Sequence, residues 1–372
     1  MAGKELNAAR VSKKDEFYTQ WDDIAKELEY YTQYFIDKVV LCNCDDPYES
    51  NFFKYFALNF NRLGLKKLIA TCYNGSPIAR DKLPLLFELP ATTCDERAGC
   101  GANNPKKIAC KVEITEVQDY SNDGAVNLAD VQWLIQNDKN VLSSLKGNGD
   151  FRSQECIELL KEADIVVTNP PFSLFREYIA QLVKYNKLFL IIGNVNAVTY
   201  KECFKLLREN RMWLGATIHS GDREFRVPES YPLNAVGSRM DEKGNKYIRV
   251  KGVRWYTNMD YPQRHKDLDL VREYDEIENP FYANYDAINI KGTSDIPKNY
   301  YGIMGVPITF IDKYNPDQFE ILDCCEPAID IEIYKRCSYF TEYKSRQITY
   351  DGKLCQKTYH RLLIRNKKPH KA

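Results

Sequence analysis

The run Asp164-Ile165-Val166-Val167-Thr168-Asn169-Pro170-Pro171-Phe172 carries an apolar strand into an abrupt Asn-Pro-Pro-aromatic stop. Two adjacent prolines fix two φ angles and remove two backbone donors. Their carbonyls, with Asn169, are therefore expected to form a rigid acceptor platform facing a ligand without internal pairing. Acceptors of this kind suit one chemical problem. The exocyclic amine of adenine is a poor nucleophile because its lone pair is delocalised into the ring. A catalyst must accept its two N–H bonds and draw the nitrogen toward tetrahedral geometry. Phe172 adds a flat ring on which a base extruded from a duplex can stack. Methyl transfer from a sulfonium then needs alignment more than acid–base chemistry. Asn169, Pro170, Pro171 and Phe172 are the candidate catalytic residues.

A second strand end, Val39-Val40-Leu41-Cys42-Asn43-Cys44-Asp45-Asp46-Pro47, puts two carboxylates ahead of a helix N-terminus. Asp45 and Asp46 can hold the ammonium of a methionine moiety, as in S-adenosylmethionine, while the helix end faces its carboxylate. Ordinary helix N-terminal acids are the alternative. In Phe17-Tyr18-Thr19 the aromatic pair can pack over such a cofactor or simply into the core. Asp150 and Phe151, closing Gly147-Asn148-Gly149-Asp150-Phe151, can take the cofactor adenine by an amine hydrogen bond and a ring contact, or form an ordinary turn.

The elements that must position these residues follow from periodicity. Trp21, Ile24, Leu28, Tyr31 and Phe35 recur at helical spacing, and Lys38 to Asn43 reads as a short buried strand. Ser50 stands where an N-cap belongs, before a helix through Phe52, Phe56 and Phe60. Strands are expected at Leu65 to Cys72 and Ile108 to Ile114, with a proline- and glycine-bearing excursion over 74–107 between them. A helix is expected at Leu128 to Gln136. The chain then alternates: helix Gln154 to Glu162, strand Asp164 to Thr168, helix Leu174 to Tyr185, strand Leu188 to Ile192, helix Lys201 to Glu209. That order means a parallel sheet covered on both faces, so the Asn169 stop falls at the carboxyl edge where open sheets bind ligands. Further strands are expected at Trp213 to Ile218 and Lys246 to Tyr256. Past 260 the chain turns to short strand-like runs, with a hairpin around Asp351-Gly352. The expected division is a catalytic domain over 1–260 and a smaller C-terminal region over 261–372.

With 372 residues, 44% hydrophobic and 28% charged, the chain has the balance of a folded globular protein. Its 52 basic and 52 acidic residues cancel, so nucleic-acid binding would have to use a local basic cleft. No apolar run approaches the roughly 20 residues that cross a bilayer, and no signal peptide is apparent, so a cytoplasmic location is expected. The 12 cysteines lack paired short spacings, and Cys94, Cys100 and Cys110 match no zinc ribbon or knuckle. No metal is expected.

Phe17-Tyr18-Thr19, Asp45-Asp46-Pro47 with Ser50, Asp150-Phe151 and Asn169-Pro170-Pro171-Phe172, in that order, resemble the adenine-specific DNA methyltransferases of the EcoRI type. The resemblance runs from Lys13 through the stretch Gly302 to Phe319. It implies a Rossmann-like S-adenosylmethionine-dependent methyltransferase sheet with helices on both faces, and a smaller C-terminal region that recognises the target. It further implies a cofactor site at Phe17, Asp45, Asp46 and Asp150, a catalytic loop over 169–172, and a role in bacterial restriction and modification, with a cognate endonuclease encoded alongside. Two features depart from the broader methyltransferase pattern. Asp46-Pro47-Tyr48-Glu49-Ser50-Asn51 replaces a glycine-rich turn, and Thr71-Cys72-Tyr73 ends the second strand without an acid for the ribose hydroxyls; Tyr73 is a candidate to stack on the cofactor instead.

Double-stranded DNA is the expected partner. Asn194, Asn196, Arg223 and Arg226, the last two in the segment His219 to Arg226, are candidates for base or phosphate contact, and each is equally an ordinary solvated residue. Two other readings stand beside this one. A planar amide in a protein glutamine, or an amine in structured RNA, poses the same chemical problem, and a non-catalytic nucleic-acid-binding protein could retain the same sheet.

Overall fold

The computed structural model describes residues 18–44, 50–72, 109–137, 141–219, 221–227, 231, 237–282, 286–324, 347–350, 353–356 and 361–370. Two compact units are present: Met1–Asn194 with Ser220–Met259, and Val195–His219 with Asp260–Ala372. The second takes in the segment after the sixth strand as well as the C-terminal region.

The first unit opens with α1 (Trp21–Leu28), which tightens into a 3-10 turn over Glu29–Tyr34. Ile24, Leu28, Tyr31 and Phe35 all lie buried on one side, as their spacing requires. Next come β1 (Val39–Asn43), buried along its whole length, then α2 (Asn51–Leu58), α3 (Phe60–Leu63) and β2 (Lys67–Thr71). Ser50 caps α2: its hydroxyl accepts from the N–H groups of Phe52 at 3.1 Å and Phe53 at 3.4 Å. The excursion over 74–107 lies outside the described residues. The chain re-enters as β3 (Cys110–Ile114), followed by α4 (Leu128–Asn137) and β4 (Leu142–Ser144). Then α5 (Gln154–Glu162), β5 (Ile165–Thr168), α6 (Phe175–Lys184) and β6 (Leu188–Asn194) alternate as their patterns predict.

The sheet is mixed. β2, β1, β5 and β6 are parallel neighbours in that order, while β3 pairs antiparallel with β2 and β4 with β3. The parallel core is as expected; the antiparallel edges were not legible, because β4 did not read as a strand and β3 and β4 pair antiparallel even though α4 lies between them. From β1 the chain steps one way to β2, and from β5 it steps the other way to β6. Right-handed crossovers then put the intervening helices on opposite faces, and strand order reverses between β1 and β5.

The run Lys246 to Tyr256, expected as one strand, is two. β8 (Asp222–Val227), β9 (Arg239–Met240) and β10 (Lys246–Lys251) form a small antiparallel sheet. Gly252, at φ 69, turns the chain into β11 (Val253–Thr257), which pairs antiparallel with β6. Only a residue without Cβ takes that left-handed angle cheaply.

In the second unit, α7 (Lys201–Arg208) precedes β7 (Trp213–Leu214), shorter than the strand expected to run to Ile218. Beyond Asp260, β12 (Ile288–Asn289), β13 (Met304–Pro307), β14 (Phe319–Cys324) and β17 (Arg361–Asn366) build a sheet in the order β12, β13, β17, β14. β15 (Gln347–Tyr350) and β16 (Lys353–Gln356) pair antiparallel with Tyr350 opposite Lys353; the expected turn residues Asp351 and Gly352 lie outside the described residues. Among the described residues no helix is long and apolar enough to cross a membrane, and no His, Cys, Asp and Glu group could hold a metal ion. Cys94 and Cys100 lie outside them.

Candidate active site

Strand reversal between β1 and β5 makes the carboxyl ends of those two strands the place to look for a ligand. They part there. β1 and β5 are in register at Val40↔Ile165 and Leu41↔Val166, whereas β1 keeps its outer partner to Asn43↔Thr71 and β5 keeps its own to Thr168↔Ile191. Strands that part at a switch point leave room for a ligand between their carboxyl ends, and Asn169 follows β5 directly.

Asn169 is 7% exposed, Pro170 is buried, and Pro171 and Phe172 are half-buried. Pro171 adopts φ −54 and ψ 123, and a 3-10 turn over Phe172–Leu174 leads directly into α6. One expectation needs correction: the Pro171 carbonyl accepts from the Leu174 N–H at 2.9 Å, so it is paired internally. The second proline thus helps seed the following helix, and Asn169 and Pro170 are the buried residues of the stop.

The Asp150-Phe151 loop is tied to α6, the helix that follows the Asn169 stop. Gly149 sits at φ 77, Asn148 Oδ1 accepts from the Asp150 N–H at 3.0 Å, and Glu155 accepts from the N–H groups of Lys146 and Gly147 at 2.9 and 3.3 Å. The turn is thus built by its own polar residues. Arg152 grips the Asp150 carboxylate through Nε at 2.9 Å and a terminal nitrogen at 2.7 Å, and this hydrogen bonding raises the guanidinium pKa further. The Arg152 backbone N–H also donates to Asp150 Oδ1 at 2.9 Å, so this one residue holds the carboxylate through three donors. Phe151 is 5% exposed; its ring meets Tyr178 edge-on at 5.1 Å, and its carbonyl accepts from Gln181 Nε2 at 3.0 Å.

Thr19 is buried beside the start of α2. It is 4% exposed, and its carbonyl accepts from Asn51 Nδ2 at 2.8 Å, which ties the segment to the first residue of α2, just beyond β1. Tyr18 forms a β-bridge with Arg226, with N–H to carbonyl distances of 3.0 and 3.3 Å, and the Arg226 guanidinium lies 5.5 Å from its ring centre. A candidate cofactor residue and a candidate DNA residue are therefore direct neighbours. Phe17, Asp45, Asp46, Pro47 and Tyr73 lie outside the described residues.

The remaining DNA candidates are each held by partners of their own. Arg223, on β8, lies 3.6 Å from Asp23; burial pushes that carboxyl pKa up despite the guanidinium. Asn194 ends β6, where its amide donates to the Lys251 carbonyl at 2.9 Å and its own carbonyl accepts from the Tyr256 hydroxyl at 2.9 Å. Asn196 and His219 belong to the second unit; the Asn196 carbonyl accepts from Thr199 Oγ1 at 2.7 Å, and His219 Nε2 lies 2.6 Å from the Ala216 carbonyl.

Sequence reasoning missed Asn43 and Tyr178. Asn43 is 4% exposed and Tyr178 1%, and the Tyr178 hydroxyl donates to Asn43 Oδ1 while the Thr168 hydroxyl donates to the Asn43 carbonyl. A polar residue closing a Val-Val-Leu-Cys strand was the one available signal, since burial of such a group demands a partner.

The model of the family described as adenine-specific methyltransferase EcoRI matches residues 5–367. The chain belongs to this family. It is 48% identical over 341 residues to the type II methyltransferase M.EcoRI of Escherichia coli, covering 91% of this chain and 94% of that protein. It is 34% identical over 367 residues to the type II methyltransferase M.MpnI of Mycoplasma pneumoniae, covering 97% and 98%. Against the type II methyltransferase M.MgeORF184P of Mycoplasma genitalium, identity is 35% over 323 residues and coverage 86% of each. No solved structure matches the chain. As an EcoRI-type methyltransferase, the protein has the α/β fold class that the resemblance implies, with antiparallel strands at the sheet's edges.

Proposed function

We propose that this EcoRI-type methyltransferase moves a methyl group from S-adenosylmethionine to the exocyclic N6 of an adenine flipped out of double-stranded DNA. The observation that carries the reading is the burial of Asn169 and Pro170 directly after β5, beyond the point where its ladder with β1 has ended.

The residues present fit S-adenosylmethionine. Asp150 offers a carboxylate acceptor on a rigid turn, Phe151 a ring beside it, and Tyr18 and Thr19 line the entry to α2. The cofactor supplies an electrophilic methyl group. Asn169 and Pro170 accept the two N–H bonds of the target amine, which localises its lone pair toward that group. Phe172 stacks on the extruded base, and its half-buried position leaves a face for one. Burial of the platform excludes water, so each accepted hydrogen bond counts for more than it would in bulk solvent. Phe17, Asp45, Asp46, Pro47 and Tyr73 complete the proposed cofactor set. Arg223 and Arg226, with Asn194 and Asn196, are proposed for the DNA contact. The region after 260 supplies target recognition, and a restriction endonuclease of the same specificity is the expected companion.

Methyl transfer to a glutamine amide or to RNA would use the same acceptors. The test is label distribution. With radiolabelled S-adenosylmethionine and equimolar duplex DNA, structured RNA and peptide, label should enter the DNA; label entering only RNA or peptide would refute the substrate.

A further inference from the structure

Over their last residues β1 and β5 keep their outer neighbours and lose each other, and the gap is crossed by side chains. The Thr168 hydroxyl donates to the Asn43 carbonyl, and the Tyr178 hydroxyl donates to Asn43 Oδ1. Thr168, Asn43 and Tyr178 are 0%, 4% and 1% exposed. Buried polar groups are costly unless paired, so this chain of bonds has one favourable arrangement, and it fixes the width of the gap.

Tyr178 reaches further than the strand gap. It lies on α6, the helix seeded by the Pro171 carbonyl, and its ring meets Phe151 edge-on at 5.1 Å. One turn further along the same helix, Gln181 holds the Phe151 carbonyl at 3.0 Å. One side chain thus touches the end of β1 and the loop that carries Asp150, from the helix that follows the Asn169 platform.

We propose that Tyr178 is a positioning residue for methyl transfer: through Asn43 and Phe151 it holds the cofactor side of the site in register with the Asn169-Pro170 acceptors. The proposal rests on the functional reading above. Catalysis by alignment is sensitive to displacements of about 1 Å, and a hydroxyl that locks one wall of the site to the other supplies that precision.

Tyr178→Phe keeps the ring against Phe151 and deletes the hydroxyl, leaving Asn43 Oδ1 without this donor. The dissociation constant for S-adenosylmethionine should rise about tenfold, the scale of one lost buried hydrogen bond, and kcat should fall, with KM for DNA unchanged. Because Tyr178 acts through Asn43, the Tyr178→Phe/Asn43→Ala pair should lose no more than Asn43→Ala alone. Tyr31→Phe is the control, since it removes another buried tyrosine hydroxyl, the donor to Glu27 at 3.0 Å, and should leave cofactor binding unchanged. The positioning role is overturned if Tyr178→Phe binds the cofactor and turns over like wild type, if Tyr31→Phe weakens binding equally, or if the pair's losses simply add. A wild-type protein that neither binds S-adenosylmethionine nor methylates DNA overturns the underlying reading as well.

Discussion

Gly193→Ala is the sharpest perturbation available near the proposed catalytic loop. A Cβ at Gly193, in β6, would lie 2.5 Å from Cε2 and 2.7 Å from Cζ of Phe175. Carbon atoms rest at roughly 3.5–4.0 Å, so the ring or the strand must move by about 1 Å. The ring has little room to yield. Phe175 is 2% exposed, meets Tyr256 at 5.1 Å and 61°, and Tyr256 in turn donates to the Asn194 carbonyl at 2.9 Å. Overpacking at such a site costs about 1–3 kcal/mol. Phe175 is also the first residue of α6, directly after the Phe172–Leu174 turn, so the strain falls on the platform itself. We expect a urea midpoint lowered by the corresponding amount and a single-turnover methylation rate reduced about 10- to 100-fold, the cost of a 1 Å misplacement. Phe175→Leu in the same background should restore part of both by freeing space. Unchanged stability and rate in Gly193→Ala would refute the close packing inferred here.

Ser50→Ala should cost about 1 kcal/mol in equilibrium urea unfolding, because the hydroxyl that accepts from Phe52 and Phe53 is 1% exposed and its loss leaves helix donors unpaired. His265 lies 2.5 Å from Asp317 and 2.8 Å from Asp260; the bond to Asp317 first, and that to Asp260, raise its pKa above the ordinary 6.5 against some desolvation. A raised histidine stabilises the folded state fully below pH 6.5 and loses that contribution as pH rises through its elevated folded value. His265→Asn should therefore be less stable than wild type at pH 6, and the gap should close at higher pH; a gap that widens would contradict the assignment. If Arg226 grips a phosphate, Arg226→Ala should lower the slope of log affinity against log salt by about one, measured by filter binding on specific duplex.

What could be read from the residues follows from how local each signal is. The Asn169 stop, the Ser50 cap and the helix Gln154–Glu162 each announce themselves within a few neighbours, and each stands where its spacing put it. The split of 246–256 was hidden because Lys246 to Lys251 alternates and Val253 to Thr257 is buried throughout, yet both read as strand. Gly252 between the two periods was the legible clue. The Tyr178–Asn43 bond could not be read, since its partners are 135 residues apart and only the fold joins them. The role of the Pro171 carbonyl was missed for a different reason: a proline cannot donate, but its carbonyl can still cap the next turn.

The central claim is that Asn169 and Pro170 make an adenine amine nucleophilic at the carboxyl end of β5. The direct measurement is product analysis under single turnover: enzyme loaded with labelled S-adenosylmethionine, mixed with duplex DNA, and the DNA digested to nucleosides and separated. Wild type should yield labelled N6-methyl-2′-deoxyadenosine, while Asn169→Ala should bind the cofactor with similar affinity and yield none. Equal product from both proteins would contradict the account.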